Sequence, residues 1–365
     1  MTQTVIPFGD PRAQKRWSQL LAVDTLSKSY FNKKFIGTGD NSVIHQKTEL
    51  ESDAGDLVSF DLSVQLRGKP TAGDNRVKGR EENLRFYTDE VKIDQLRHSV
   101  SAGGRMTRKR TAHDLRKIAK DRLGDYWAEY MDQVTFIYLS GARGINQDFY
   151  EDSDYSGHAG NALQNPDAQH LFYAGAATSK ATVTAADTMS RNLIEKTVTN
   201  VGMMRALDPE SANMMPVMME GEQRYVLLMS LFQEYQLRTE AGVGGWMELQ
   251  KAAAAAEGNK NKLFLGSLGM INNVVLHSHK NVIRFSDYGA GTNLPAARAL
   301  FMGRQAGVVS YGTPGGQRMM WQEEVDDYGN EPTVVAGCIF GMKKTRFNNR
   351  DFGITAIDTH AAPPA

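Results

Sequence analysis

The chain has 365 residues, longer than most single domains, so we expect either two domains or one domain with large extensions. Hydrophobic residues make up 41% of the sequence, which is enough for a sizeable core and far from the composition of a disordered chain. Lys plus Arg and Asp plus Glu both total 42, so the formal net charge is zero. Dedicated DNA-binding proteins usually carry a basic excess, so sequence-specific DNA binding is not favoured, although a local basic surface is still allowed.

The cysteine content and the N-terminal sequence bear on where the chain folds. Cys338 is the single cysteine, so an intrachain disulfide is excluded and folding in the cytoplasm is the simplest expectation. The first residues lack the apolar run of a signal peptide. No stretch approaches the roughly 20 apolar residues that cross a bilayer. We therefore expect a soluble protein with no membrane partner.

Residues 1–50 have the pattern of an arm. Within residues 11–30, Trp17 and Leu21 belong to the narrow apolar stripe of a short amphipathic helix. Little nearby sequence is apolar enough to cover this stripe. The arm therefore needs another surface to lie against.

The clearest local pattern predicts a long β-hairpin that begins near residue 56. On its first strand, apolar residues alternate strictly with polar ones, at Val58, Phe60, Leu62, Val64 and Leu66. The returning strand changes phase between Phe86 and Val91. We therefore predict a β-bulge near Asp89 or Glu90. An isolated hairpin is marginal in water, so this one needs a partner surface.

The loop between the two strands, residues 67–81, is rich in glycine and in basic residues. Its basic side chains are Arg67, Lys69, Arg76, Lys78 and Arg80. Loops of this length are unusual inside compact domains and tend to be functional or mobile.

Residues 107–139 have the pattern of one long helix. Apolar residues recur close to the helical period, at Leu115, Ile118, Leu123, Trp127, Tyr130, Val134 and Ile137. At ~1.5 Å per residue this helix would be about 50 Å long, which exceeds the diameter of a small domain.

Basic residues are concentrated between residues 105 and 122, where the only acids are Asp114 and Asp121. The candidate residues of this basic face are Arg105, Arg108, Lys109, Arg110, Arg116 and Lys117. A solvated helix face is the simplest interpretation. The alternative is a face that meets a polyanion, or the acids of a neighbouring subunit, without sequence specificity.

The rest of the sequence predicts further helices and strands. Helices are predicted for residues 192–205, 246–256 and 295–305. Residues 141–190 are predicted to be a connection that contains only short elements. Strands are predicted for residues 225–237, 274–277, 282–285, 334–340 and 353–357. The elements are segregated rather than regularly alternating, which indicates the α+β class.

The sequence contains no motif for catalysis or cofactor binding. The phosphate-loop pattern, the dinucleotide fingerprint, G-x-S-x-G and H-E-x-x-H are all absent. His277 and His279 would share one face of a strand, but two ligands do not complete a zinc site, so surface or interface histidines are favoured. Cys338 lies in an apolar run, where a small buried thiol is the usual outcome. We therefore expect no catalytic, cofactor-binding or metal-binding residues, and no cofactor.

Several longer stretches carry a resemblance to a known family. They are KTELESDAGDLVSFDLSVQLRG, GDNRVKGREENL, VKIDQLRHSVSAGGRMTRKRT, LRKIAKDRLGDYWAEYMDQVTFIYLSG, RYVLLMSLFQEYQLR, ARALFMGRQAGVVSYG and DFGITAIDT. These stretches resemble the major capsid proteins of tailed bacteriophages, in particular the N-four-type family. Each stretch alone is weakly specific, but they occur in the order of the family and cover most of the chain.

The resemblance implies the Hong Kong 97-type capsid fold, which is α+β. It divides the chain into an N-terminal arm at residues 1–50, an E-loop hairpin at 51–100 and a peripheral domain with a spine helix at 101–205. A final strand within residues 341–365 would return to the peripheral domain. Residues 206–340 would form the axial domain.

The resemblance also implies a function. The chain would be a major capsid protein that self-assembles into the icosahedral shell around the double-stranded DNA genome of a tailed phage. Its expected partners are other copies of itself in hexamers and pentamers, a separate scaffolding protein, a portal, packaged DNA bound without sequence specificity and, optionally, a decoration protein. We expect it in the virion, after assembly in the host cytoplasm. The alternatives are the shell of an encapsulin-like compartment and another virion component such as a tail-tube subunit; an enzyme is the least favoured.

Within that fold, the resemblance suggests roles for particular side chains. Phe60, Leu62 and Phe86 would pack the hairpin on a neighbour, and Trp17 and Leu21 would hold the arm. The five basic residues of the loop would pair with acids across an interface, and the basic face would look inward at DNA. A covalent link from Lys69 or Lys78 to Asn348 or Asn349 of a neighbour is conceivable but disfavoured, because most such shells are non-covalent.

Overall fold

A computed structural model describes most of the chain. The described residues are 25, 28–51, 55–63, 66–111, 114–207, 213–219, 221–240, 267–313 and 319–364. Trp17 and Leu21 lie outside them, as does the helix predicted at residues 246–256.

The described helices and strands follow the α+β pattern. The helices are α1 (Tyr30–Lys34), α2 (Arg105–Arg110), α3 (Leu115–Ser140), α4 (Arg191–Leu207) and α5 (Leu231–Thr239). The strands of the first half are β1 (Ile36–Gly37), β2 (Ile44–Lys47), β3 (Leu57–Ser63), β4 (Phe86–Lys92), β5 (Asp94–Ser101) and β6 (Leu171–Tyr173). The strands of the second half are β7 (Val217–Met219), β8 (Glu222–Met229), β9 (Gly269–Ile271), β10 (Val274–Ser278), β11 (Arg284–Tyr288), β12 (Leu294–Met302), β13 (Gly307–Tyr311), β14 (Met320–Asp326), β15 (Glu331–Lys344), β16 (Arg346–Phe347), β17 (Arg350–Asp351) and β18 (Ile354–His360).

The long strand β15 organises a six-stranded sheet. It pairs antiparallel with β14 near its start, with β13 near its end and with β5 along its other edge. β2 of the arm extends this sheet by pairing parallel with β13. Helix α3 packs against β15, and Trp127 and Ile137 lie in the same buried core as Ala336 and Cys338. Burial of Cys338 was predicted and is confirmed.

The second sheet has eight strands, with β12 in its interior between β8 and β18. All residues of β12 from Ala296 to Met302 are buried, Arg298 among them. The guanidinium of Arg298 donates two hydrogen bonds of 2.8 Å to the carboxylate of Asp358 on β18. It also donates to the carbonyl of Ser140 at the end of α3, at 2.9 Å. This buried ion pair therefore ties the eight-stranded sheet to the long helix.

Two predictions of secondary structure are wrong in instructive ways. Residues 295–305 were predicted to be helical, but residues 295–302 form most of β12. A short apolar run is ambiguous, because a fully buried central strand and a buried helix segment share it. Residues 225–237 are not one strand. The chain leaves β8 at Ser230, whose side chain caps α5 together with Gln233 in a reciprocal capping box.

The long helix is confirmed, but it is shorter than predicted and is preceded by a separate short one. Thr111 has an extended backbone and ends α2, so the predicted helix 107–139 divides into α2 and α3. At ~1.5 Å per residue, the 26 residues of α3 span about 39 Å. The helix predicted at 192–205 and the strands at 274–277, 334–340 and 353–357 are confirmed, and β11 begins two residues later than predicted.

The last strand lies in a different sheet from the one beside the long helix. β18 pairs with β12 and β6, whereas β15, only ten residues earlier, belongs to the sheet against α3. The strands between residues 206 and 340 are likewise shared between both sheets. The proposed division into arm, hairpin, peripheral and axial domains therefore stays a prediction.

Candidate assembly surfaces

The hairpin is formed by β3 and β4 in one continuous antiparallel register, from Leu57 opposite Lys92 to Ser63 opposite Phe86. The predicted β-bulge is therefore wrong. The change of phase arises because Asp89, and not an apolar residue, occupies an inward position of β4, with only 8% of its surface exposed.

Asp89 is buried because it has partners on the body of the chain. Its carboxylate forms an ion pair with Lys343 of β15 and accepts a hydrogen bond of 3.1 Å from the backbone N–H of Arg346. β15 also approaches the hairpin closely at Gly341, where any Cβ would collide with the carbonyl oxygen of Lys92. The base of the hairpin is thus held on the end of β15.

The inward apolar side chains of the hairpin pack on the same chain. Val58 and Val91 form a small core with Leu50 and Val308. The ring of Phe60 meets Phe347 edge to face, with 6.0 Å between centroids.

Beside these rings lies a cavity of about 240 Å³, lined in part by Leu62 and by the charged side chains of Lys47 and Asp61. Phe60 and Leu62, which were predicted to contact a neighbour, are both half-buried within their own chain.

The outward side of the hairpin and its loop exposes large apolar side chains. Phe86 is 59% exposed, and Leu66, Val77 and Leu84 are exposed to a similar degree. Clusters of exposed apolar residues mark contact surfaces. Of these residues, only Phe86 was predicted from the sequence to be a contact. The other three are recognised by their exposure in the folded chain.

The five basic side chains of the loop are all exposed. The loop is closed at its base by Glu82, whose carboxylate accepts the backbone N–H groups of Arg67 at 2.8 Å and Gly68 at 2.5 Å. These two hydrogen bonds hold the pKa of Glu82 below its usual value. The loop therefore presents its positive charge to solvent from a defined base.

The described part of the arm is fixed on the body by a carboxylate of the long helix. Asp132 accepts hydrogen bonds from the Ser29 hydroxyl at 2.8 Å and from the backbone N–H groups of Tyr30 at 2.7 Å and Phe31 at 3.1 Å. Burial raises the pKa of Asp132 to about 6, and these three donors oppose that rise. The Phe31 ring packs edge to face on Phe136 of the same helix.

His277 and His279 both lie at this junction, the first buried and the second half-exposed. His277 is fully buried beside Phe35, and His279 stacks on Phe136 with 5.0 Å between centroids. Burial lowers the pKa of His279 to about 4. The expectation of a surface or interface histidine is therefore wrong for His277, while His279 is half-exposed; both rings pack against Tyr30 of the arm.

The basic face predicted at residues 105–122 is divided in the structure. Arg105 donates a hydrogen bond of 3.2 Å to the carbonyl of Gly329, and Arg108 donates one of 3.2 Å to the carbonyl of Asn330. These two arginines brace the turn between β14 and β15. Lys109 and Arg110 on α2 and Lys117 on α3 are exposed, while the side chain of Arg116 lies outside the described residues.

The end of β14 and the turn after it form an acidic surface that the sequence analysis missed. Glu324, Asp326 and Asp327 are exposed, and Glu323 is half-exposed. Tyr328 follows them with a fully exposed ring and a positive φ of 51°. We call residues 323–328 the acidic edge. β14 pairs only with β15 in the described part of the chain, so its other side is an open sheet edge.

Within the described ranges, no cluster of His, Cys, Asp and Glu could hold a metal ion, and no helix combines the length and apolar character needed to cross a membrane. The features that stand out on this chain are surfaces: an outward apolar hairpin, a basic loop and an acidic edge.

Comparison with known proteins identifies the family. A family model described as phage capsid protein matches residues 5–363. The chain belongs to this phage capsid protein family. It is 28% identical over 358 residues to the major capsid protein of Pseudomonas phage KPP25, covering 90% of each protein.

Solved structures extend the comparison. The capsid of Ralstonia phage GP4 is 65% identical and covers all of both chains, with a TM-score of 0.88. The capsid of cyanophage Pam1 has 22% identity over 93% of this chain and 94% of the other, with a TM-score of 0.68, and shows a likeness of fold.

These comparisons confirm several predictions made from the sequence. The α+β, Hong Kong 97-type capsid fold is confirmed. The chain is a major capsid protein of a tailed phage, a structural component of the virion and not an enzyme. Such a subunit associates with copies of itself.

Proposed function

We propose that this capsid protein is of the N-four type and builds its icosahedral shell from hexamers and pentamers linked by the hairpin. The observation that carries the proposal is the contrast between the two sides of the hairpin. The inward side is held on β15 through Asp89 and Lys343, while the outward side and the loop expose Phe86, Leu84 and Val77.

A hairpin that is fixed at its base and apolar on its outer side supports contact with another subunit. Phe86 and Leu84 are each about three-fifths exposed in the single chain, at 59% and 63%. Burying large apolar side chains contributes roughly 1.5–3 kcal/mol each, and a shell repeats every contact many times. We therefore propose Phe86 as the centre of the hairpin contact. Phe60 and Leu62 support it from within their own chain, because they fix the inward face.

The arm and the basic residues supply further contacts in this proposal. Trp17 and Leu21 hold the arm on a neighbour, beyond the point where Asp132 fixes its described part. The loop residues Arg67, Lys69, Arg76, Lys78 and Arg80 meet acids across an interface.

Lys109, Arg110 and Lys117 are exposed and keep the role of a face toward packaged double-stranded DNA. For Arg116, the proposed role in facing DNA rests on the sequence alone. Arg105 and Arg108 are assigned to bracing the β14–β15 turn, because their guanidinium groups already bind its carbonyls.

Assembly in the host cytoplasm with a separate scaffolding protein, a portal and optionally a decoration protein completes the proposal. It rests on the resemblance to N-four-type capsid proteins and on the pairing of β2 with β13, which makes this part of the arm a strand of the body.

The test is to replace residues 67–81 by a short Gly-Ser linker and to examine particles by electron microscopy after co-expression with the other head proteins of the phage. We expect the wild-type chain to give uniform closed shells, and the loop variant to give folded subunits without closed shells. A matched control replaces Asp152 and Asp154, which are exposed on another loop, by Ala while leaving the hairpin intact, and should still give closed shells. Closed shells of normal size from the loop variant would overturn the role of the hairpin loop.

A further inference from the structure

The basic loop and the acidic edge are complementary surfaces carried by the same chain. The loop contributes the side chains of Lys69, Arg76, Lys78 and Arg80, all exposed. The edge contributes Glu324, Asp326 and Asp327, also exposed. Because the formal net charge of the chain is zero, this segregation is local and does not follow from an overall excess of either sign.

The two surfaces are attached to opposite ends of one strand. The hairpin base is held at Gly341 and Lys343, close to the end of β15. The acidic edge precedes Glu331, where β15 begins. At ~3.3 Å per residue, the 12 steps from residue 331 to residue 343 separate the two attachment points by about 40 Å. Within the described residues, no ion pair joins Lys69, Arg76, Lys78 or Arg80 to Glu324, Asp326 or Asp327.

The acidic edge is also held in a fixed shape, as a docking surface requires. Arg105 and Arg108 bind the carbonyls of Gly329 and Asn330 from one side, and the Asn330 amide donates to the carboxylate of Asp327 at 3.1 Å. Fixing the turn from behind leaves its carboxylates and the fully exposed ring of Tyr328 facing solvent. A preformed surface loses little conformational entropy when a partner binds.

We propose that the basic loop of one capsid subunit docks on the acidic edge of a second copy, with the open side of β14 and Tyr328 receiving the loop. This inference rests on the proposed function and names the partner of the loop. Charge complementarity favours a second copy as the partner. The acids lie on an otherwise open sheet edge, and the matching cations lie on a loop of the same chain. The base of that loop's hairpin is held at the far end of β15. Complementary charge of this kind fixes the register and partner of a contact.

The direct test is zero-length carbodiimide cross-linking of purified virions, which joins a lysine amine to a carboxylate in contact with it. We expect a dimer band on denaturing gels, with cross-linked peptides that join Lys69 or Lys78 to Glu324, Asp326 or Asp327. Cross-links from these lysines exclusively to other carboxylates would overturn the inference. In that outcome the shells are intact, so the proposed function stands.

A charge-reversal pair provides a second measurement in co-expressed particles. Lys69→Glu with Lys78→Glu, and separately Glu324→Lys with Asp326→Lys, are each expected to lower the yield of closed shells at least tenfold. Combining the two sets is expected to restore most of the yield. The control, Asp152→Lys with Asp154→Lys, changes exposed acids on another loop by the same charge.

If both reversals lower the yield and their combination fails to recover it, the loop and the edge contact different partners and the inference is wrong. Failure of the wild-type chain to form closed shells would instead count against the proposed function.

Discussion

The carboxylate of Asp89 on the hairpin forms an ion pair with the ammonium group of Lys343 on β15, and the two side chains are only 8% and 14% exposed. The hairpin is also held by a few apolar side chains, by the close backbone approach at Gly341 and by two hydrogen bonds of 3.0 and 2.7 Å between the Asn161 amide and the backbone of Lys92. This ion pair is therefore the charged contact among several that attach the hairpin before a neighbour covers it.

Breaking this pair should loosen the hairpin. Asp89→Ala leaves the ammonium of Lys343 buried without its partner, and we expect a loss of about 3 kcal/mol in the free energy of unfolding. The double variant Asp89→Leu with Lys343→Met should lose less than the single variant, since no charge remains buried. Urea unfolding and hydrogen exchange in residues 57–92 measure both effects.

The matched control for that cycle is the exposed pair of Lys180 and Asp287, whose side chains are 45% and 56% exposed. Asp287→Ala should cost less than about 1 kcal/mol, because solvent screens the pair. Equal losses at both pairs would show that the buried contact at Asp89 does not hold the hairpin.

The close approach at Gly341 predicts a second effect on the hairpin. In Gly341→Ala, the new Cβ collides with the carbonyl oxygen of Lys92, so the hairpin base must move away from β15. We expect destabilisation by about 1–3 kcal/mol and faster hydrogen exchange in residues 86–92. Gly39→Ala is the control, because open space surrounds that position. Unchanged exchange in Gly341→Ala would mean that the hairpin base tolerates the movement.

Asp132 predicts a pH dependence of the arm junction. Its folded pKa of about 6 lies above the ordinary value of 3.8 for an aspartate, so the folded chain holds this proton more tightly than the unfolded chain. The resulting stability is fully present below about pH 4 and is lost as the pH rises through 6.

In Asp132→Asn this titration is removed. The stability advantage of the wild-type chain over the variant should therefore shrink by about 2 kcal/mol between pH 4 and pH 7, as measured by urea unfolding. A difference that stays constant with pH, or grows as the pH rises, would contradict the raised pKa.

The buried pair of Arg298 and Asp358 predicts a large effect on the body itself. Arg298→Met leaves a fully buried carboxylate with the Tyr288 hydroxyl as its remaining side-chain donor, at 2.6 Å. We expect a loss of about 3–5 kcal/mol. Adding Asp358→Leu should restore part of it, and thermal unfolding of the purified subunit measures both. No recovery in the double variant would show that packing around Arg298, and not its charge, dominates.

Much of this fold could be predicted because local periodicity and burial agree. The alternation from Val58 to Leu62 and the helical spacing from Leu123 to Ile137 correspond directly to the observed burial. The strand buries one side only, so its alternation carries the full signal. In α3 every residue from Tyr130 to Ser140 is buried, so there the helical spacing of the large apolar residues records only part of the burial.

Elsewhere, tertiary contacts overrode the local pattern. Asp89 lies inward because Lys343, more than 250 residues away, neutralises it. β12 is a strand despite its alanine content because strands on both sides bury it. The acidic edge was missed for a related reason: its charges are ordinary in sequence and become a surface only when β14 is placed at the edge of a sheet.

The single cysteine gives this capsid protein a built-in reporter. Cys338 is fully buried in the interior of β15, and burial raises the pKa of its thiol. A thiol reagent can therefore react only when the six-stranded sheet opens, and one modification per chain is the maximum. The rate of labelling in intact virions would then time the opening of the subunit without any engineered probe.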